Sequence, residues 1–384
     1  MQGRGRRIVA EVVVAAVGAA LIVFAALRGP TWFERHFLPE FFQPRREQLS
    51  WLMLVRVMAA VLGAVLIWPV RVRVGRWVGR RSGRDLALDV LPTLLAVFLA
   101  LGVSEVLLRH LPWFSIHQLP SQREPLRRRD PLTGWTYAEN RVGRGVLGGR
   151  TIEYAFDPAG HRVRAGGARV DYAAPSVVFV GESIIIGHGL RYEESIPARV
   201  AARLGLQAAD LAVGGFATDQ MHIRLRAVWP RYREPRALVI LFMPSLFHRN
   251  LEHDRPHLAP GLVWRPASDD WRLFQIAHRL APYRSDQDLA DGFLMTRQAL
   301  ASMVAMARAK GAVPLILVPD LQPQTAEEEA ISARVLAGLP VLRVAVDPAF
   351  HVPRNRHPDA RGAAVIAEAV ARRLEAHGLA APPP

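Results

Sequence analysis

The sequence predicts an α/β protein, a three-layer α/β/α parallel sheet preceded by three transmembrane helices. Three observations carry this expectation. Five short apolar runs rich in β-branched residues alternate with helical stretches after Ser176. Three long apolar runs, each about the 20 residues that cross a bilayer, crowd the N-terminal part of the chain. The run Val177-Val178-Phe179-Val180 stops at Gly181, and Ser183 follows. That is the layout of a buried parallel strand opening onto a ligand site at the carboxyl edge of the sheet.

The membrane segments come first. Ile8–Leu27 carries Glu11 as its only charge, Trp51–Val70 carries Arg56, and Leu86–Leu108 carries Asp89 and Glu105. The apolar core of the first run is longer than the usual core of a cleaved signal, and two more runs follow, so it reads as a retained helix. Arg4, Arg6 and Arg7 precede the first run, and Arg71, Arg73, Arg76, Arg80, Arg81 and Arg84 separate the second from the third with no acid among them. Positive charge favours the cytoplasmic side, so the N-terminus and this loop are expected inside and everything after Leu108 outside, across a cell inner membrane. Trp51, Trp68, Trp113 and Phe114 sit near span ends, as interfacial aromatics do. In this topology Arg56 and Glu105 fall near the outer face and are expected to pair structurally, since no further ionisable residues continue a path across the middle.

The net charge of +15 is carried almost wholly by Arg, with Lys310 the only Lys. Much of the excess lies between hydrophobic runs, so topology accounts for it better than nucleic acid, for which no binding-module pattern is present. The chain has no Cys, which excludes disulfides, thiolate metal sites and a Cys nucleophile.

The anchor, residues 1–108, is expected to lead through a Pro-punctuated linker, residues 109–129, ending in Arg127-Arg128-Arg129. Residues 130–172 read as a small β lead-in, and residues 173–384 as the α/β domain. Its strands are expected at Val177–Val180, Ala208–Val213, Ala237–Met243, Val313–Val318 and Val341–Val346. Helices are expected at Ile196–Leu204, Thr218–Trp229, Asp291–Lys310, Ala326–Ala337 and Pro358–Ala376. Asn250–Asp288, rich in Pro, Trp, His and Asp, breaks the alternation and reads as an insertion over the strand ends.

Four local features converge on the carboxyl edge. Gly181-Glu182-Ser183 presents a hydroxyl between strand and helix. Asp210-Leu211-Ala212-Val213-Gly214-Gly215 follows a strand and opens a helix, where free backbone N–H groups can hold an oxyanion. Leu241–Asn250 follows the third strand. His357-Pro358-Asp359-Ala360-Arg361-Gly362 opens the last helix, with His357 placed to act as a base. In this combination the chain resembles the SGNH/GDSL hydrolase family in its membrane-anchored bacterial members, from about Asp130 to the C-terminus. Gly181-Glu182-Ser183 stands for the family's Gly-Asp-Ser, with Gly187 following; Asp210 to Gln220 stands for its second block; His357 to Gly362 stands for its closing block. Asp157-Pro158-Ala159-Gly160-His161-Arg162 is similar to the family's Asn-x-x-Gly-x-Arg lead-in. The resemblance implies a flavodoxin-like sheet, Ser183 as nucleophile, His357 as base, and the N–H groups of Ser183 and Gly215 as oxyanion donors. It implies no cofactor and no metal.

Two departures stand out. The family's third block supplies an oxyanion Asn where this chain has Phe242-Met243-Pro244-Ser245; Ser245, His248 and Asn250 are the substitutes, with Asn250 of the right chemistry but several residues late. The family's Asp lies three residues before the His, where this chain has Arg354; Asp347, at the end of the fifth strand, or a backbone carbonyl is the expected orienting group. The function expected is a membrane-anchored serine esterase or acyl transferase on O-acyl esters of an envelope glycan or lipid. The alternative is a catalytically degenerate member that binds a glycan or assembly partner. Oligomeric state is not written in the sequence.

Overall fold

The computed structural model describes residues 2–37, 45–110, 127–353 and 355–379. Trp113, Phe114, most of the expected linker, Arg354 and the Pro-rich end lie outside the described residues. The chain divides into two compact units, residues 1–114 with 270–283, and residues 115–269 with 284–384.

The first unit is helical. It holds α1 (Gln2–Leu27), α2 (Pro30–His36), α3 (Arg45–Val65), α4 (Arg71–Arg80) and α5 (Gly83–His110). Among the described residues, three helical stretches are long and apolar enough to cross a membrane: Gly3–Leu27, Leu49–Arg80 and Gly83–His110. The second runs on where the sequence predicted a loop. A wider turn at Leu66–Val70, which contains Pro69, joins α3 to α4 and accommodates a residue with no backbone N–H to donate. The Arg-rich stretch is therefore helical up to Arg80.

α1 and α3 meet backbone to backbone at Gly18 and Gly63. A Cβ on Gly18 would lie 2.7 Å from the Gly63 carbonyl oxygen, so only glycine permits this approach. Glu11 is paired with Arg7 at 2.8 Å, one turn away. The expected Arg56–Glu105 pair does not form. Arg56 donates through Nε and Nη2 to the Ala25 carbonyl, at 3.1 and 3.0 Å. Glu105 takes Arg109 at 2.7 Å and the backbone N–H groups of Arg272 and Leu273. The reason is physical: a buried carboxylate beside two orphan helix-start N–H groups satisfies both at once.

The second unit opens with an antiparallel ribbon, β1 (Arg127–Asp130) with β2 (Gly134–Tyr137). The basic triplet is thus a paired strand and not a free linker. β3 (Val142–Leu147), β4 (Arg150–Phe156) and β5 (Arg162–Val163) follow as an antiparallel set that joins the main sheet. Next come β6 (Ser176–Val180), α6 (Ser183–Ile186), α7 (Ile196–Leu204), β7 (Gln207–Asp210), α8 (Thr218–Val228), β8 (Pro235–Leu241) and α9 (Pro244–Asn250). A short hairpin, β9 (His257–Ala259) and β10 (Val263–Arg265), precedes α10 (Arg272–Leu280), which belongs to the first unit. The chain then runs through α11 (Asp286–Ala309), β11 (Val313–Asp320), α12 (Ala326–Leu336), β12 (Val341–Ala345) and α13 (Ala360–Glu375).

The eight-stranded sheet has the order β12-β11-β8-β6-β7-β5-β4-β3, and the five strands from β12 to β7 are parallel. Numbered along the chain, these five read 2-1-3-4-5, the flavodoxin-like order, and the direction of winding reverses beside β6. Right-handed crossovers on either side of that reversal send helices to both faces. α7 packs on α13, while α8 and α12 pack on α11. β6 is buried along its whole length, as its apolar run predicts for a central parallel strand. Helix starts follow local chemistry: Ser195 caps α7, Thr325 and Glu328 form a reciprocal box on α12, and Asp359 caps α13.

Candidate active site

Ser183 lies at the reversal of winding, three residues beyond the end of β6. The turn that presents it is tight by necessity. A Cβ on Gly181 would lie 2.4 Å from Ile185 Cγ1, so the chain there has to be glycine. Glu182 caps the short helix α6 by accepting the Ile184 N–H at 3.1 Å. Gly187 ends it in the left-handed region, with φ of 70°.

Arg162 braces this turn from β5. It is buried and donates to the carbonyls of Ile186, Gly187 and Leu190, the last at 2.6 Å. Its guanidinium also lies 4.5 Å over the Tyr154 ring. These carbonyls lie in the turn that ends α6 and runs on from it, where helical partners run out, so one planar fork satisfies several orphan acceptors.

His357 reaches Ser183 from the loop before α13. Its Nε2 is 2.6 Å from Ser183 Oγ. Asn355 holds the imidazole from behind: one oxygen, Oδ1, meets the His357 backbone N–H at 2.9 Å and the ring Nδ1 at 2.5 Å. The backbone N–H is a donor, so the Asn355 atom there is the acceptor. Nδ1 must then carry the proton, and Nε2 is left as the lone-pair nitrogen that faces the hydroxyl. The loop itself is fixed by the Val352 N–H donating to the His357 carbonyl at 2.9 Å and by the Asp359 N–H donating to the Phe350 carbonyl at 2.8 Å.

Glu182 is the alternative acceptor for the one Ser183 hydroxyl hydrogen, with its Oε2 within hydrogen-bond reach of Oγ. The carboxylate is buried and has Arg249 Nη1 3.4 Å away. Burial pushes the Glu182 carboxyl up, but Arg249, His357, the Ser183 hydroxyl and the Ile184 N–H together outweigh it and hold it below its ordinary value. Burial pushes the His357 imidazole down to about 4; the Glu182 charge opposes this, and His188, Arg249 and His351 reinforce it. At neutral pH the ring is therefore uncharged, the form a general base requires.

The glycine turn after β7 lies against the same edge. The Val213 N–H donates to the Gly181 carbonyl at 3.2 Å, and the Leu211 N–H to the Phe179 carbonyl at 2.9 Å. Tyr137 and Trp135, from β2, grip the turn: Tyr137 Oη accepts the Gly214 N–H and Trp135 Nε1 donates to the Gly214 carbonyl, both at 3.0 Å. Gly215 has φ of 80°. Neither its N–H nor that of Ser183 has a protein acceptor among the described residues. Burial pushes the Asp210 carboxyl up to about 7, against the Ala212 N–H and the charges of Arg162 and Arg224.

Two expected residues are engaged elsewhere. Asn250 accepts the Asp219 N–H at 3.2 Å and donates to Thr296 Oγ1 at 2.7 Å, a buried network that ties α9 to α8 and α11. Asp347 accepts the Ala349 N–H at 2.8 Å and caps its own turn; the group on His357 Nδ1 is Asn355 instead. The sequence reading missed Asn355, Arg249 and the buried role of Arg162. The signal for Asn355 was present as Asn355-Arg356-His357, one position closer to the His than the carboxylate sought there.

No protein-family model matches the chain, and no curated protein does. Solved structures that it is similar to include an acetyl xylan esterase from the rumen bacterium Butyrivibrio proteoclasticus, at 11% identity and a TM-score of 0.35, covering 55% of this chain and 66% of that one. A putative lipolytic protein of the G-D-S-L family from Desulfitobacterium hafniense is similar at 15% identity and a TM-score of 0.33, covering 51% of this chain and 98% of that one. A salicylyl-acyltransferase from a tetracycline biosynthetic pathway is similar at 18% identity and a TM-score of 0.31, covering 54% of this chain and 56% of that one. Likenesses at this level leave the reading of the site to its own geometry.

Proposed function

We propose that this chain is a membrane-anchored serine esterase or acyl transferase that works outside the cytoplasm on O-acyl esters, with an envelope polysaccharide as the substrate class. The observation that carries the reading is the contact of Ser183 Oγ with His357 Nε2 at 2.6 Å, on a ring whose tautomer Asn355 sets. In this reading Ser183 Oγ attacks the ester carbonyl carbon while His357 Nε2 takes its proton. The imidazolium that forms sits beside the buried Glu182 charge. The tetrahedral oxyanion accepts from the N–H groups of Ser183 and Gly215. His357 returns the proton to the leaving alkoxide, and the acyl group stays on Ser183. Water, or a sugar hydroxyl, then attacks the acyl carbon with His357 again as base, releasing the acid or a new ester.

The same reading takes residues 1–108 as the anchor and residues 173–384 as the catalytic domain. Arg4, Arg6 and Arg7, with Arg71, Arg73, Arg76 and Arg80, support a cytoplasmic N-terminus and an outer catalytic domain. The direct test is labelling of the full chain with a fluorophosphonate, beside Ser183→Ala. Labelling that disappears with the hydroxyl establishes an activated nucleophile, and a panel of acetylated glycans and short acyl esters then reads the substrate. A folded chain that does not label is the degenerate, glycan- or partner-binding protein instead.

A further inference from the structure

The excursion at residues 270–283 is inserted in the sequence of the α/β unit, yet it belongs to the compact unit of the long helices. Both of its ends are tied there. At its start, Glu105 accepts the N–H groups of Arg272 and Leu273, at 2.9 and 3.0 Å. At its end, the Tyr283 ring lies 6.0 Å from Trp32, 5.5 Å from His36 and 5.6 Å from Phe37. Glu105 belongs to the last turns of α5, and Trp32 and His36 to α2, just past the end of α1. One fourteen-residue excursion therefore touches the C-terminal end of α5 and the short helix α2 that follows α1.

Between these ties, α10 is two-sided. Leu273, Phe274, Ile276, Ala277 and Leu280 fall on one half of its circumference, and Arg272, Gln275 and His278 on the other. Phe274 is 75% exposed and Leu280 83%, and Trp271 beside them is also bare. The same turns of α5 leave Val103, Val106 and Leu107 uncovered. At nine residues the helix is too short to cross a bilayer.

We infer that α10 is an interfacial helix that lies in the membrane surface, with the lipid bilayer as the partner of its bare apolar side. The inference rests on the reading of α1, α3 and α5 as spanning helices. Depth supports it. Glu105 is five residues from the end of α5, which at 1.5 Å per residue is about 7.5 Å, and interfacial helices sit about 5–10 Å into the headgroup boundary. The α10 start hydrogen-bonds to that carboxylate, so the helix begins at this depth. The same stretch of α5 exposes Val103, Val106 and Leu107, side chains that acyl chains cover in a spanning α5. The chain passes between the two units at three points, and α10 is the element between two of them.

The test uses the absence of Cys, which makes every single-cysteine variant a clean label site. The full chain carrying Phe274→Cys or Leu280→Cys is spin-labelled and reconstituted in phosphatidylcholine–phosphatidylglycerol vesicles. Leu95→Cys, at an exposed position inside α5, reports on the spanning reading. Collision with oxygen, which concentrates in lipid, is compared with collision with an aqueous nickel chelate. The expected result is that labels at positions 274 and 280 meet oxygen several-fold more than the chelate, at a shallower depth than the label at position 95. A lipid-embedded label at position 95 with chelate-accessible labels at 274 and 280 overturns the inference and leaves the spanning helices standing. Labels at 274 and 280 shielded from both reagents also overturn it, because a protein surface then covers α10. A chelate-accessible label at position 95 removes the spanning reading and the inference together.

Discussion

Asn355 and His357 are joined through one oxygen. Asn355 Oδ1 takes both the backbone N–H and the ring Nδ1 of His357, so a single amide sets the position and the tautomer of the base. Asn355→Ala frees the ring to rotate and to swap its proton between nitrogens. Its kcat toward an ester is expected to fall on the order of 10², within the range a positioned general base contributes, with KM nearly unchanged. Asn355→Asp keeps the acceptor and adds a charge beside the ring, which favours the imidazolium. It is expected to retain activity and to move the acid limb of the pH profile upward. Equal activity of Asn355→Ala and the parent chain would show that the amide does not set the ring.

The pH dependence has a defined sign. His357 works as a base when neutral, and burial pushes its pKa down to about 4, with Glu182 opposing. The acid limb of kcat/KM is therefore expected near pH 4, and not near the value of about 6.5 for a free imidazole. Glu182→Gln removes the charge that favours the imidazolium, so it is expected to lower the plateau and shift the limb further down. Arg249→Met removes a nearby positive charge and is expected to shift the limb up. Opposite shifts for the two variants, read from full pH–rate profiles, check the assignment. The stability linkage runs the same way: the unfolded ring takes its proton near pH 6.5 and the folded ring near pH 4, so acid destabilises the fold between those values.

Gly215 offers a cleaner separation of fold from chemistry. A Cβ there would lie 3.5 Å from Trp135 Cζ2, an ordinary contact, so space is not the obstacle. The obstacle is its φ of 80°, which an L side chain adopts at a cost of about 1–2 kcal/mol. Gly215→Ala is expected to fold with slightly reduced stability. If it turns the N–H away from the oxyanion, kcat falls by roughly 10²–10³. Full kcat in a folded Gly215→Ala chain would mean that the added side chain leaves this N–H in place.

Much of this was legible because strands and their ends leave local marks. The run Val177–Val180 and the stop at Gly181 pointed to Ser183, and Pro358 at the opening of the last helix pointed to His357. What was not legible depended on partners far along the chain. Glu105 looked like a mate for Arg56 because both fall near the outer face in the expected topology. Its partners are Arg109, one turn on, and N–H groups 167 and 168 residues away, on a helix that periodicity alone does not assign to the anchor. Asn250 has the chemistry of an oxyanion donor, but Asp219 and Thr296 claim both ends of its amide. Asn355 escaped because the search was for a charged residue at a fixed offset, whereas fixing a tautomer needs only an acceptor oxygen.

Arg162 is the remaining long-range residue, and its removal is expected to hurt stability and catalysis together. It stands between β5 and the turn that carries Ser183, and its guanidinium serves the carbonyls of Ile186, Gly187 and Leu190. Arg162→Met keeps most of the volume and leaves the Ile186 and Leu190 carbonyls buried without donors, while the Gly187 carbonyl keeps the Leu190 N–H. Each orphaned group costs about 1–3 kcal/mol, so a total loss of roughly 3–5 kcal/mol is expected. Arg162→Lys is expected to recover little of this, because one ammonium cannot span acceptors on both sides of the turn as the planar fork does. Thermal unfolding of the full chain in detergent, followed beside fluorophosphonate labelling of Ser183, reads both effects. A wild-type melting temperature for Arg162→Met would mean that water reaches those carbonyls and the brace is dispensable. A lowered melting temperature with an unchanged labelling rate would separate the two roles, leaving Arg162 to the fold and the aim of Ser183 to Gly181 and Glu182.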